Sequence, residues 1–280
     1  MKKIMMLASL LIITSISHMI TATAVAAEEN NSLCLKANKH CTFVLLSDHN
    51  NSLSSINGRA NEPLSPFSTF KVANSLIALD TGVVSNAQQP LAFDKDKYSQ
   101  QAWWPSVWKL PHYNLASAFK YSMVPIYRQI AMDIGQKQMQ NYLTQFDYGN
   151  KDISSGLDDF WLNGSIKISA VEQVKFLQRL YHNQIKVKTE SLTTLKEVML
   201  VESTSDYKLY AKTGSGWVKE TTSKQKQTAQ KAMLGWYVGF VENTQGVHYF
   251  AFNVSRDSYA KMKKNRVAMA MNHLKAAGII

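Results

Sequence analysis

The sequence predicts an α+β protein in which one antiparallel sheet, built from both chain ends, carries flanking helices and an inserted, mainly helical subdomain. Runs rich in β-branched and aromatic side chains concentrate near the two ends of the chain. Apolar residues at helical spacing dominate the middle, roughly 68–200. The chain has 280 residues and no internal repeat. We therefore expect a signal peptide at 1–26 and a single domain at 27–280.

The first residues have the three parts of a secretory signal: a basic start, a short apolar core and a cleavage site with small residues. Lys2 and Lys3 precede the apolar run, and Ala24 and Ala26 form an Ala-x-Ala site. Polar residues interrupt that run, which makes it too short to span a bilayer comfortably and disfavours an uncleaved anchor. No later segment has the apolar length of a membrane span. We expect export across the inner membrane into the periplasm.

Cys34 and Cys41 are the only cysteines of the chain. In an exported protein so close a pair predicts a disulfide that closes a small loop, with two free thiols as the alternative. The net charge of +11 is dispersed apart from Lys219–Lys231 and Lys261–Arg266, and no nucleic-acid-binding motif accompanies it. This pattern indicates a solvated basic surface rather than a nucleic-acid partner.

The predicted elements near the chain ends follow from local composition. The first strand is expected at Cys41–Ser47, before a polar turn, and a second short strand leads to Asn57 and Gly58. Apolar runs at 234–241 and 247–254 flank a turn and predict a hairpin. The last segment, 267–277, predicts a helix that is followed by a glycine.

The middle of the chain shows helical spacing between recognisable start and stop signals. Ser169 and Glu172 form a capping box before apolar residues at helical spacing. A similar pattern covers 127–146, with Gly135 as the expected break. The polar, lysine-rich stretch 219–231 predicts a loop.

Ser68 and Lys71 fit the nucleophile motif S-x-x-K, which by itself is weak because it recurs in this chain. The other occurrences begin at Ser106, Ser117, Ser205, Ser223 and Ser258. Context favours Ser68, because the prolines in segment 63–66 disfavour helical geometry before it and apolar residues at helical spacing follow it. Ser68 is therefore expected at a helix N-terminus, where backbone N–H groups favour developing negative charge, with Lys71 on the same face.

Three further motifs follow in order. Ser122-Met123-Val124 and Tyr148-Gly149-Asn150 lie between the S-x-x-K and a single Lys212-Thr213-Gly214, which follows an alternating apolar run typical of a strand. A Lys-Thr-Gly on an edge strand offers a cation, a hydroxyl and a backbone that a ligand can approach closely. Each tripeptide is weak alone, and the ordered set is strong.

Over essentially its whole mature length the sequence resembles the class D serine β-lactamases. The matching pieces are S-T-F-K at 68, S-M-V at 122, F-D-Y-G-N at 146, F-W-L at 160, A-K-T-G at 211 and W-Y-V-G-F-V at 236. Class A enzymes carry Ser-Asp-Asn at the second motif, where this chain has Ser-Met-Val. The resemblance implies the penicillin-recognising serine enzyme fold and hydrolysis of the β-lactam amide of penicillin-type antibiotics, which gives antibiotic resistance.

The resemblance also implies roles for individual residues. Ser68 would be acylated, Lys71 would carry a carbamate formed from carbon dioxide and act as base, Ser122 would pass a proton to the departing ring nitrogen, and Trp161 would hydrogen-bond the carbamate. Burial should lower the pKa of Lys71 enough for the neutral amine to capture carbon dioxide. The substrate-binding residues would be Lys212, Thr213, Gly214, Ser215, Arg266 and Val124, with backbone N–H groups of Ser68 and Ser215 forming the oxyanion hole.

No cofactor is implied beyond carbon dioxide or bicarbonate, and the seven histidines show no metal-ligand spacing. The arginine that would bind the substrate carboxylate has two candidates. Arg266 is favoured because it is expected to open the terminal helix, and Arg256 after the last strand is the alternative.

The segment between Gly214 and Trp236 is longer than the resemblance leads us to expect and carries Lys219, Lys224, Lys226 and Lys231. It predicts a basic flap beside the pocket, so a substrate spectrum is not implied. Three tryptophans are expected either at the other rim or in the core: Trp103, Trp104 and Trp108.

Three other functions compete with that of a hydrolase. A β-lactam sensor domain or a penicillin-binding peptidase would acylate without fast turnover, and a basic periplasmic binding module would explain the charge but not the ordered motifs. The sequence indicates no oligomeric state.

Overall fold

The computed structural model describes residues 34, 40–55, 59–162, 164–223 and 226–280, without the side chains of 219–230. The signal peptide predicted at 1–26 lies outside these residues. None of the helices in the described ranges is long and apolar enough to cross a membrane. Cys34 and Cys41 form a disulfide with their Cα atoms 5.6 Å apart, as the sequence predicted.

A six-stranded antiparallel sheet brings the two chain ends together in the order β2-β1-β8-β7-β6-β5. Its strands are β1 (Cys41–Ser47), β2 (Ser52–Ser55), β5 (Leu200–Ser203), β6 (Tyr207–Ser223), β7 (Lys226–Asn243) and β8 (Gly246–Arg256). A separate ribbon pairs β3 (Pro90–Leu91) with β4 (Tyr113–Asn114). In the sheet Cys41 of β1 is opposite Val254 of β8, which confirms the predicted antiparallel sheet built from both ends.

Seven helices are described: α1 (Lys71–Thr81), α2 (Leu115–Lys120), α3 (Val124–Ile134), α4 (Gln136–Gln145), α5 (Ala170–Tyr181), α6 (Thr189–Met199) and α7 (Tyr259–Ala276). A 3₁₀ turn, Phe67–Phe70, leads directly into α1. The capping box of α5 forms as predicted: Ser169 N–H donates to Glu172 Oε2 at 2.7 Å, and Glu172 N–H donates to Ser169 Oγ at 3.2 Å. The predicted break at Gly135 separates α3 from α4.

Two cores lie on the opposite faces of the sheet. Successive strand residues point to opposite faces, so Val238 of β7 joins the larger core with α1 and α5, whereas Tyr237 joins a smaller core under α7. Residues 232–241 of β7 and 249–252 of β8 are buried on both faces and are, apart from glycines, apolar. This two-sided burial explains why their hairpin was recognisable in the sequence.

The structure differs from the sequence prediction at three places. The segments 82–114 and 146–169 of the inserted part carry little regular structure. Residues 219–223 and 226–231 are not a loop: β6 and β7 continue as paired strands in which Lys219 is opposite Lys231, because ladder pairing overrides the polar composition. The last helix begins at Tyr259, where Ser258 caps it, so Arg266 lies inside the helix rather than at its start. Its first turns are mostly exposed and contribute a single buried side chain, Met262, before Met269.

Candidate active site

Ser68 lies in the 3₁₀ turn that precedes α1, and the segment before it fixes the position of this turn. Leu64 pairs with Ile168 through two backbone hydrogen bonds of 3.0 and 2.9 Å, and Phe67 N–H donates to Trp161 O at 3.0 Å. Phe67 then adopts a φ of +50°, a left-handed conformation that costs a bulky residue free energy and is typical of functional sites. The strained residue thus lies directly before Ser68, at the start of the 3₁₀ turn Phe67–Phe70.

Lys71 begins α1 one turn after Ser68, and its Nζ donates a 3.0 Å hydrogen bond to Ser68 Oγ. The side chain is fully buried. Burial, and then the charge of Lys212, lower the pKa of Lys71 well below its ordinary value. No carboxylate in the described part of the chain forms an ion pair with it. A neutral amine beside a serine hydroxyl can act as a base.

Gly214 brings β6 against the turn that carries Ser68. A Cβ atom at this position would lie 2.8 Å from Pro66 O and 3.1 Å from Ser68 N, so only glycine permits the approach. The partner strand β5 is paired with β6 only as far as Tyr210. The following residues of β6, including Ser215, therefore present a strand edge beside Ser68 that β5 does not pair with, as the sequence predicted for Lys-Thr-Gly.

Lys212 and Ser122 come together across the site. Lys212 Nζ donates to Ser122 Oγ and, at 3.1 Å, to Thr213 O. Burial, and then the charge of Arg266, lower the pKa of Lys212 to about 7. Ser122 has a φ of +54° just before α3, which begins with the half-buried Val124. The Ser122 hydroxyl therefore contacts an amine that changes protonation near neutral pH.

Arg266, rather than Arg256, reaches the Lys-Thr-Gly strand. Its Nη1 donates to Gly214 O at 3.3 Å. Helix α7 approaches β7 at Gly235, where a Cβ atom would overlap the side chain of Met262. Arg256 instead donates to Ser255 O at 2.8 Å and to Asn265 Oδ1 at 3.3 Å. The close approach at Gly235 thus places the guanidinium, although the predicted position of Arg266 in the helix was wrong.

Trp161 is buried beside the nucleophile turn. Its ring stacks on Phe70 with centroids 5.3 Å apart, and its Nε1 is buried without an acceptor among the described residues. An unsatisfied buried N–H is rare and costly. The N–H is therefore suited to an oxygen acceptor that is not part of the unmodified chain.

Other serines of the S-x-x-K type have different partners. Ser117 completes the capping box of α2, Ser258 caps α7, and Ser205 donates to Asp206 in an exposed turn.

The three tryptophans lie in different environments: Trp104 and Trp108 are buried and pack edge to face, whereas Trp103 is 70% exposed. Tyr127 was not anticipated; its ring lies under Lys71 Nζ, 4.8 Å from the centroid.

Comparison with known proteins agrees with this geometry. The family model of the penicillin binding protein transpeptidase domain matches residues 21–273. The chain is 39% identical over 256 residues to β-lactamase OXA-48 of Klebsiella pneumoniae, covering 90% of both chains. It is 34% identical over 248 residues to β-lactamase OXA-10 of Pseudomonas aeruginosa, covering 89% of this chain and 84% of that one. The chain belongs to the class D serine β-lactamases.

Solved structures of this family share the fold. The class D β-lactamase FUS-1 (OXA-85) of Fusobacterium nucleatum superposes with a TM-score of 0.75 at 31% identity, covering 92% of this chain and 98% of that chain. The class D enzyme YbXI of Nostoc gives a TM-score of 0.74 at 30% identity, covering 86% and 94%. The predicted family and fold are therefore confirmed.

Proposed function

We propose that this class D β-lactamase hydrolyses the β-lactam amide of penicillin-type antibiotics through an acyl-enzyme on Ser68, with Lys71 as base, and so gives resistance. The observation that carries the proposal is the 3.0 Å hydrogen bond between Ser68 Oγ and an amine that is fully buried. Proximity and a low pKa are the two requirements for a lysine that takes a serine proton at neutral pH.

Acylation uses the residues that surround Ser68. Its Oγ attacks the lactam carbonyl carbon as the proton leaves toward Lys71, and the oxyanion is stabilised by the backbone N–H groups of Ser68 and Ser215. As the C–N bond breaks, Ser122 passes a proton to the ring nitrogen. The pKa of about 7 for Lys212, which donates to Ser122, suits it to replace that proton. Once Lys71 has lost the proton that it took from Ser68, it takes a proton from the water that attacks the ester carbonyl carbon. It returns the proton to Ser68 Oγ as the acyl C–O bond breaks, which releases the acid product and restores Ser68.

The substrate carboxylate is assigned to the polar residues at the end of this strand edge. Arg266 presents a forked donor that matches a carboxylate, and it already lies 3.3 Å from Gly214 O. Lys212, Thr213 and Gly214 would complete the binding edge, while Val124 encloses the pocket from α3. In this proposal the substrate binds along the edge of β6, with its carboxylate at Arg266.

We also propose that Lys71 is carbamylated by carbon dioxide. Two observations support the fit: burial favours the neutral amine that the reaction requires, and Trp161 Nε1 is buried without an acceptor in the described structure. The carbamate would supply an oxygen base next to Ser68. Phe70, which stacks on Trp161, keeps the surroundings apolar, and Leu162 is partly buried in the same core. Export through residues 1–26 to the periplasm belongs to the same proposal.

Turnover of a chromogenic cephalosporin by purified protein tests the function, with Ser68→Ala as the inactive variant. Ser205→Ala is the matched control, because Ser205 also begins an S-x-x-K pattern but lies in an exposed turn. After reaction with a slow substrate, intact mass should show one adduct, and mass spectrometry of the digested protein should place it on the peptide that contains Ser68. Acylation without turnover would identify a sensor or penicillin-binding protein, and an active Ser68→Ala would overturn the assignment.

A further inference from the structure

Tyr127 of α3 is held by three residues on one face of α1. Lys71 Nζ lies 4.8 Å from its ring centroid, Asn74 Nδ2 donates to its carbonyl oxygen at 3.2 Å, and Ser75 Oγ shares a 2.8 Å hydrogen bond with its hydroxyl. Spacings of three and four residues place these side chains together on the helix. All four residues are fully buried. The same helix that carries Lys71 therefore fixes the aromatic ring beneath it.

The ring is an electrostatic partner of Lys71 that favours its charged form. The face of an aromatic ring attracts an ammonium group, most strongly where water is excluded. Lys71 Nζ also donates to the neutral acceptor Ser68 Oγ, and the charge of Lys212 on β6 repels its ammonium form. The hydroxyl of Tyr127 does not compete as an acid, since burial raises its pKa. Its ring face is thus the feature that opposes the effects of burial and of Lys212.

We propose that Tyr127 is a positioning residue whose ring face packs beneath Lys71 Nζ and favours its ammonium form. The ring thereby sets the pH at which the amine becomes neutral, the form that both base action and capture of carbon dioxide require. The inference rests on the proposed role of Lys71 as base. Removing the ring face should weaken the ammonium form, so the acid limb of the rate profile should move to lower pH. The maximal rate should fall as well, because the amine loses the surface that aims it at Ser68.

Substitution at Tyr127 separates the ring from the hydroxyl. In Tyr127→Leu we expect the acid limb of kcat/KM to move down by about one pH unit, with a loss of kcat of about tenfold. Tyr127→Phe and Ser75→Ala remove the same hydrogen bond but keep the ring, so both should retain the wild-type pH profile. Equal shifts in Tyr127→Phe and Tyr127→Leu would refute a role for the ring.

A second measurement does not depend on folding of the leucine variant or on the carbamate. Phenylalanines of increasing ring fluorination at Tyr127 keep the shape but weaken the negative ring face. Titration of ¹³Cε-labelled lysine in buffer free of carbon dioxide should show the pKa of Lys71 falling stepwise along this series. An unchanged titration would overturn the inference. A carbamate resonance from ¹³C-bicarbonate in the wild type tests the proposed function separately, so the two can fail independently.

Discussion

Alanine in place of Gly214 tests whether the close approach of β6 organises the site. A Cβ atom there would lie 2.8 Å from Pro66 O and 2.9 Å from Thr69 N, both backbone atoms that cannot rotate away. Ordinary van der Waals contact begins near 3.4 Å. The strand or the turn must therefore retreat by about 0.6 Å, the difference between 3.4 Å and the 2.8 Å to Pro66 O. The retreat separates Ser68 from Ser215, whose backbone N–H groups would bind the oxyanion.

The expected size of the effect follows from that displacement. A misplacement of about 1 Å costs about a hundredfold in rate, so a shift of this size should lower kcat by about tenfold or more. Overpacking should also cost about 1–3 kcal/mol of unfolding free energy, or roughly 2–10 °C in melting temperature. Chromogenic turnover and thermal denaturation measure the two quantities on the same preparation.

A control separates lost geometry from lost stability. Gly82 ends α1 at a φ of +79°, and a Cβ atom there would meet nothing within 4 Å. Gly82→Ala should therefore cost about 1–2 kcal/mol through backbone strain alone while kcat stays near the wild-type value. Full activity in a folded Gly214→Ala variant, or an equal loss of kcat in Gly82→Ala, would show that the reasoning about the strand is wrong.

Three more outcomes are expected. Arg266→Ala should lower kcat/KM about ten- to a hundredfold, the value of a charge-assisted hydrogen bond, and Arg256→Ala should do much less; steady-state kinetics would reveal a reversed order. Lys71→Met should abolish activity but stabilise the fold by about 1–2 kcal/mol. Folding lowers the pKa of Lys71, so burying its charge costs free energy of folding. This cost is fully present below the folded pKa and disappears as pH rises toward the unfolded pKa. The gain in melting temperature should therefore be larger in acid than in alkali, and equal gains would contradict the burial argument. Trp161→Phe keeps the stacked ring but removes Nε1, so hydrolysis at mildly acidic pH should need more bicarbonate than in the wild type. The same bicarbonate dependence in both proteins would show that Trp161 does not stabilise the carbamate on Lys71.

The sequence predicted the residues whose chemistry requires a particular type at a particular spacing. Ser68 and Lys71 are one helical turn apart, and Lys212 and Gly214 lie on a strand edge, so local pattern was sufficient to propose them. The contact between α1 and α3 was not predictable in this way. Tyr127 occupies an ordinary apolar position in its helix, and only the packing of two distant segments shows that its ring faces Lys71.

The errors have physical causes of the same kind. Residues 219–231 look like a loop because they are polar, yet each of the two strands supplies the hydrogen-bond partners of the other, which composition does not report. Arg266 was placed at a helix start because a helical composition was recognised only from Val267 onward and because the resemblance implies an arginine at the start of the terminal helix. What brings its guanidinium to Gly214 is the absence of a side chain at Gly235 on β7, a condition set by a residue about thirty positions away.

The site combines features that each lower the stability of the folded chain. Phe67 and Ser122 have positive φ angles, Lys71 and Lys212 are buried cations with lowered pKa values, and Trp161 Nε1 has no acceptor among the described groups. The rest of the molecule must supply the compensating free energy, and the two cores on either side of the sheet are where apolar burial is concentrated. These strained and unsatisfied groups lie around Ser68, and the proposed mechanism gives a role to the groups that can react or donate a hydrogen bond. In the proposed mechanism the amine takes a proton, the hydroxyl passes one on, and the strand edge receives the β-lactam.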